Sequence, residues 1–266
     1  MLTLSHISKT FSPGTANEHL ALDGLSLHLA PGEFVTVIGS NGAGKSTLMN
    51  AISGVFTVDS GRVILDGQEI TFFKEHKRAR MIGRLFQDPM KGTAPNLTIE
   101  ENLALAYARG QRRGIGIAIN EKDRQLFRRE LARFDMGLED RMKTKVGLLS
   151  GGQRQAVTLL MGTIVPPKLL LLDEHTAALD PAAAQKVLGI TRDIVQREQL
   201  TTLMITHNIQ SALSMGTRTI MMNAGRIVLD ISGEQRAQMT VPRLLELYNS
   251  AAGAALDTDR VLLQQT

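Results

Sequence analysis

The chain has 266 residues, of which 43% are hydrophobic, 21% charged and 4% aromatic, enough to bury a sizeable core in one large or two small domains and too apolar for a disordered chain. Thirty Lys/Arg against 26 Asp/Glu give a formal charge of +4, and the absence of cysteine excludes disulfides and thiolate zinc sites. The longest apolar candidate, Val157 to Leu172, is broken by Gly162, Pro166, Pro167 and Lys168, so no stretch approaches the roughly 18 uninterrupted apolar residues of a membrane span.

The opening MLTLSHISKTFS has no basic segment followed by an apolar one, so no secretory signal is expected and the cytosol is the expected compartment. Leu25, Leu27 and Leu29 alternate onto one strand face, Pro31-Gly32 makes a turn, and Phe34 to Ile38 reads as a buried strand. A helix is expected from about Gly44 to Ile52, stopped at Gly54, and then a hairpin of Arg62 to Leu65 and Gln68 to Ile70 about Asp66-Gly67. After Gln87 the pattern turns helical: Thr98 and Glu101 have capping-box spacing for a helix over Ile99 to Arg109, and Glu121 to Phe134 is a second helix. Between Arg109 and Lys145 lie eleven Lys/Arg and six Asp/Glu, a net of +5. Such a stretch can face nucleic acid or anionic headgroups, or it can be a solvated helical surface; no nucleic-acid motif accompanies it.

Ser150 and Gln153 again have capping-box spacing, for a helix reaching about Val165 before Pro166-Pro167. Leu169 to Leu172 reads as a strand buried on both faces, Asp180 and Pro181 as N-cap and first residue of a helix to about Arg197, and Thr202 to Thr206 as a strand. A hairpin spans Ile220 to Ile231 about Asn223 to Gly225, and a terminal helix runs from Thr240 through Tyr248. No internal repeat is present, so the helical block reads as an insertion inside one α/β unit.

Chemistry concentrates at three places. Gly39-Ser40-Asn41-Gly42-Ala43-Gly44-Lys45-Ser46 follows a strand, precedes a helix and matches G-x(4)-G-K-[ST]. Its glycines turn backbone N–H groups onto phosphate oxygens, Lys45 reaches the terminal phosphates, and Ser46 is a Mg²⁺ ligand. The run Leu169 to Leu172 ends in Asp173 and Glu174, where Asp173 is placed to hold Mg²⁺ through water and Glu174 to act as general base on a water attacking the γ-phosphate. The third is Leu149-Ser150-Gly151-Gly152-Gln153. A simple helix cap explains Ser150 and Gln153 but not the glycine pair, which weakens a helix by about 1 kcal/mol per residue.

This last segment resembles the signature of the ATP-binding cassette (ABC) ATPases. The other cassette elements follow in that family's order: Gln87 after a strand, Ala178-Leu179-Asp180 after the two carboxylates, and His207 after the Leu203 to Thr206 strand. The resemblance covers about residues 1–250. It implies an α/β fold with a phosphate-loop, RecA-like core over about 1–88 and 166–250, an N-terminal antiparallel β part, an inserted helical subdomain over about 89–165, and a short tail, 251–266. It also implies ATP and Mg²⁺ as ligands. Phe11 then stacks on adenine, residues Gly39 to Ser46 with Thr47 bind ATP, and Ser46, Gln87 and Asp173 serve the metal. Glu174, His207 and Gln87 are the catalytic set, Leu149 to Gln153 contact the ATP of a partner subunit in a head-to-tail dimer, and Asp180 is a dimer contact.

The chain departs from the common pattern at His175, where most cassettes carry proline, at Ala156 and Met161, which replace arginines of the signature helix, and at Gly92-Thr93-Ala94-Pro95. A metal role for His175 has no second ligand at suitable spacing. Together these features resemble bacterial import ATPases that work with permease subunits and an extracytoplasmic binding protein, often in amino-acid uptake. The expected function is the nucleotide-binding subunit of an importer, peripheral on the inner face of the cell membrane, with no nucleic acid as partner. The alternatives are an exporter subunit and a soluble cassette ATPase acting on nucleic acid or ribosomes; relatives of that last kind usually carry two cassettes or long coiled-coil insertions.

Overall fold

The computed structural model describes residues 1–109 and 119–252. Residues 110–118 of the basic segment and all of the tail after Ala252 lie outside the described residues. In chain order the elements are β1 (Leu2–Phe11), β2 (His19–Leu29), β3 (Phe34–Gly39), α1 (Lys45–Ser53), β4 (Ser60–Leu65), β5 (Gln68–Glu69), α2 (Glu75–Arg78), β6 (Ile82–Leu85), α3 (Ile99–Tyr107) and α4 (Glu121–Ala132). There follow α5 (Gly151–Thr163), β7 (Leu169–Asp173), α6 (Pro181–Arg197), β8 (Thr201–Ile205), α7 (Ile209–Met215), β9 (Arg218–Asn223), β10 (Arg226–Ser232), α8 (Gly233–Ala237) and α9 (Val241–Ala252). The described residues form two compact units, 1–79 with 201–252, and 80–109 with 119–200.

The first unit holds an antiparallel sheet in the order β2-β1-β4-β5, with the expected Asp66-Gly67 hairpin closing it. Leu25, Leu27 and Leu29 all point into its core. In the same unit β3 is flanked in parallel by β8 and β9, and β10 pairs antiparallel with β9. Flanked on both edges, β3 buries every residue from Phe34 to Ile38, which is why its sequence is a continuous apolar run rather than an alternating one. On one side of these strands Ile38, Ile209, Ala212, Met221, Ile231, Leu244 and Tyr248 form a single cluster. The Leu244/Tyr248 pair stands at i, i+4 on α9, so the helix continues past Tyr248 to Ala252, four residues beyond the expected end.

The second unit pairs β6 and β7 in parallel and packs α3, α4, α5 and α6 around them. The Thr98–Glu101 and Ser150–Gln153 capping boxes both form. A third, Asn120 with Asp123, opens α4. The helices α3, α4 and α5 stop two residues short of the ends expected from pattern, because Ala108, Arg133 and Ile164 are already their C-caps. In α6, Val187, Leu188, Ile190, Thr191, Ile194 and Val195 are buried at helical spacing. The basic segment is partly neutralised within this unit: Arg124 pairs with Glu100 at 3.3 Å, and Glu130 receives Arg133 at 2.7 Å and Arg197 at 3.3 Å.

Arg78 at the end of α2 fixes the far end of α1. Its guanidinium donates to the carbonyls of Ala51 and Ile52 at 2.8 Å, Thr71 at 2.8 Å and Phe73 at 2.9 Å. Burial lowers its pKa to about 10, which leaves it ionised at neutral pH, and a cation there complements the helix C-terminus. Arg78→Met leaves these carbonyls buried without a donor and lowers stability by about 3 kcal/mol. A urea titration checks this: the unfolding midpoint falls, whereas a wild-type midpoint would show that the guanidinium contributes nothing net.

Candidate phosphate sites and carboxylate strand

In the first unit, the loop after β3 is shaped by close backbone approach. At Gly39, φ is 152° and a Cβ would lie 2.3 Å from the carbonyl oxygen of Met222; at Gly44, φ is 96° and a Cβ would lie 2.6 Å from that of Ala21. No side chain caps α1, since Gly44 is its N-cap. A helix start without a side-chain cap is an arrangement that attracts phosphate. Lys45 is buried and arches over the loop, its Nζ donating to the carbonyls of Gly39 at 2.6 Å and Ser40 at 2.8 Å. Asn41, Gly42 and Ser46 are exposed, Ala43 is buried, and Ser40 and Thr47 are half-buried.

Two further expected residues belong to this unit. Phe11 ends β1, is 39% exposed and meets Phe56 edge-on, with ring centroids 5.4 Å apart. The Lys9 ammonium lies 5.7 Å from the Phe11 centroid and 5.5 Å from that of Phe56, and is held at 2.6 Å by Asp59. The part played by Phe56 had no motif to announce it. His207 is half-buried after β8, immediately before Asn208, whose side chain caps α7 by accepting from Ser211 N at 2.7 Å.

In the second unit, β7 carries Asp173 at its end, and Arg84 on β6 donates to Asp173 Oδ2 at 3.2 Å. The same guanidinium lies 4.7 Å from the centroid of Phe86, the residue before Gln87. Gln87 itself is exposed. Arg84 therefore links the strand end that carries the carboxylate to the start of the glutamine loop. Glu174 follows with φ 48°, in the left-handed region. The chain then makes two turns, Ala177 N to Glu174 O at 3.0 Å and Leu179 N to Thr176 O at 3.2 Å, and reaches Asp180, which caps α6 by accepting from Ala183 N at 3.0 Å.

The signature helix α5 begins at Ser150, whose Oγ accepts from Gln153 N at 3.3 Å while Ser150 N donates to Gln153 Oε1 at 3.4 Å. Arg154 reinforces the entry by donating to the carbonyls of Val146, Gly147 and Leu149. The glycine pair has a packing reason: a Cβ at Gly151 would meet Leu179 Cδ2 at 3.1 Å, and one at Gly152 would meet Ala183 Cβ at 3.0 Å. The departures noted in the sequence are absorbed by the fold. Ala156 is fully buried, Gly92 lies where a Cβ would meet Thr158 Cγ2 at 2.9 Å, and His175 is buried against Thr191.

Comparison with known proteins shows the family and the fold. Residues 22–177 match the profile of the ABC transporter family. The chain is 41% identical over 251 residues to the tyrosine transport ATP-binding protein of Clostridioides difficile, covering 94% of this chain and 100% of that one. It is 37% identical over 211 residues to a methionine import ATP-binding protein of Rhizobium johnstonii, covering 78% of this chain and 56% of the relative, little more than half its length. Among solved structures, an ATP-binding cassette captured as a dimer in a post-hydrolysis state with ADP and Pi is similar at TM-score 0.75 and 27% identity, over 87% of this chain and 98% of the other.

Gly44→Ala tests the loop. The added methyl meets the Ala21 carbonyl and the residue must hold a strained φ, so affinity for an ATP analogue falls by at least about tenfold. Equilibrium titration with circular dichroism alongside checks this; a folded variant with wild-type affinity would show that the loop geometry is not what holds phosphate.

Proposed function

The chain belongs to the ABC transporter family of ATPases, and from that premise we propose that it binds ATP on the Lys45 loop and hydrolyses it in a pair of such chains to drive solute import through separate permease subunits. The observation that carries this reading is the start of α1 at a glycine with no side-chain cap, with the buried Lys45 arched over the loop before it. Backbone N–H groups of Gly39 to Thr47 receive the phosphates, Lys45 turns from the loop carbonyls to the terminal phosphates, and Phe11 stacks on adenine with Phe56 behind it. Among the described residues no group of three His or acidic side chains could cage a metal. Ser46 and Asp173 are instead single hard oxygen donors, which suits Mg²⁺ carried largely by the substrate's own phosphates, with Gln87 as a further oxygen. Bound there, the ion neutralises phosphate charge.

Glu174 accepts the proton of the attacking water, and His207 contacts the γ-phosphate and orients that water. Leu149 to Gln153 supply the second anion site, which serves the nucleotide of a partner chain, and Asp180 lies at the contact between chains. Likeness to tyrosine transport and methionine import subunits supports amino-acid uptake as the task, in company with a permease and an extracytoplasmic binding protein. Among the described residues no helix is long and apolar enough to cross a membrane, which suits a subunit attached to the inner face by its permease. Met90, 38% exposed beside Gln87, is a candidate for that attachment.

Glu174→Gln keeps size and hydrogen bonding but cannot take the proton. Hydrolysis falls by roughly 10² to 10⁴, and the variant accumulates as an ATP-bound dimer on size-exclusion chromatography. A variant that stays monomeric at saturating MgATP, or turns over at the wild-type rate, would remove Glu174 from the role of base.

A further inference from the structure

Glu174 occupies a left-handed conformation, φ 48°, that a residue with a Cβ keeps only when its surroundings impose it. Its neighbours on both sides are anchored. Before it, Asp173 accepts from Arg84 at 3.2 Å. After it, His175 is 2% exposed and its Nε2 lies 3.1 Å from Thr191 Oγ1, on the third turn of α6. The proton positions in this pair follow from counting donors. Thr191 has one hydroxyl proton, and its Oγ1 lies 2.8 Å from the carbonyl oxygen of Val187, which can only accept. The hydroxyl therefore donates to Val187, and the contact with His175 is formed by Nε2–H donating to Thr191 Oγ1.

We infer that His175 and Thr191 form a positioning pair for the ATPase reaction: the Nε2–H of His175, held by the Thr191 hydroxyl, fixes the backbone on the far side of Glu174 and so aims its carboxylate at the attacking water. Neither side chain touches substrate. The inference rests on Glu174 as the general base.

The test uses the full chain with three substitutions. Thr191→Val keeps the shape of the side chain but removes the acceptor, so kcat falls by about ten- to a hundredfold while KM for ATP stays within about twofold, since the Lys45 loop is untouched. Thr191→Ser retains the hydroxyl and restores the wild-type kcat. In a Glu174→Gln background, measured by single-turnover hydrolysis, Thr191→Val produces no further loss. Equal losses in the Val and Ser variants, a rise in KM in place of the fall in kcat, or a full additional loss in the Glu174→Gln background would overturn the inference. A Glu174→Gln chain with wild-type turnover would instead overturn the assignment of the base, so the two failures are distinguishable. Should Thr191→Val not fold, ¹⁵N shifts of His175 in the unmodified chain decide the matter: a proton on Nε2 supports the pair and a proton on Nδ1 contradicts it.

Discussion

Where β3 ends, the backbone of Gly39 passes so close to the carbonyl of Met222 that a Cβ would sit 2.3 Å from it. That approach lets a strand buried from Phe34 to Ile38 turn at once into the loop that leads to Gly44, the N-cap of α1. Other features of the first unit keep the approach in place. The neighbours of Gly39 and Met222 in sequence, Ile38 and Met221, share one apolar cluster with Leu244 and Tyr248 of α9, and Arg78 holds the carbonyls at the other end of α1. Each buried aliphatic side chain in that cluster is worth about 1.5 to 3 kcal/mol, so the loop's geometry is supported by packing around it and not only by its own glycines.

The two helix starts proposed to bind phosphate differ in a way that fits different tasks. Helix α1 has a glycine as its N-cap and so no side-chain cap. Helix α5 begins with a complete capping box, so the Gln153 N–H is already satisfied by Ser150. A self-capped helix start is preformed and binds anion with the donors that remain, while an uncapped one gains more from a bound phosphate. On the function proposed above, uncapped α1 holds the nucleotide of its own chain and self-capped α5 closes on one delivered by a partner. Gly151 and Gly152, pressed against Leu179 and Ala183, couple that second start to the turn carrying Asp180.

Much of this was legible in the sequence because it depends on local chemistry. The buried strand before Lys45, the Thr98–Glu101 and Ser150–Gln153 boxes and the Asp180-Pro181 start all follow from side chains satisfying nearby backbone. The box of Asn120 and Asp123 was equally readable but uses a less familiar residue pair. What escaped depends on partners distant in sequence. Helix α2 has only four residues and no periodicity to reveal it; it is held by the contacts of Arg78. Short α7, built around an Asn208 cap, is hidden in the same way. Phe56 packs on Phe11 only because β1 and the turn after α1 converge, and the packing role of Gly151 and Gly152 depends on α6. His175 looked like a mere departure from a pattern until its partner sixteen residues on, Thr191, was seen.

The central claim is that the phosphate site of one chain is completed by the signature of another. The chain has no cysteine, so single thiols can be placed at will on exposed positions beside the two sites. Chains carrying Asn41→Cys are mixed with chains carrying Leu148→Cys, both in the Glu174→Gln background, and treated with a short bismaleimide with and without MgATP. The account predicts a cross-linked dimer from the mixed pair that depends on MgATP and is absent when either chain is treated alone. Cross-linking indifferent to MgATP, or as strong between two Asn41→Cys chains as in the mixed pair, would contradict it.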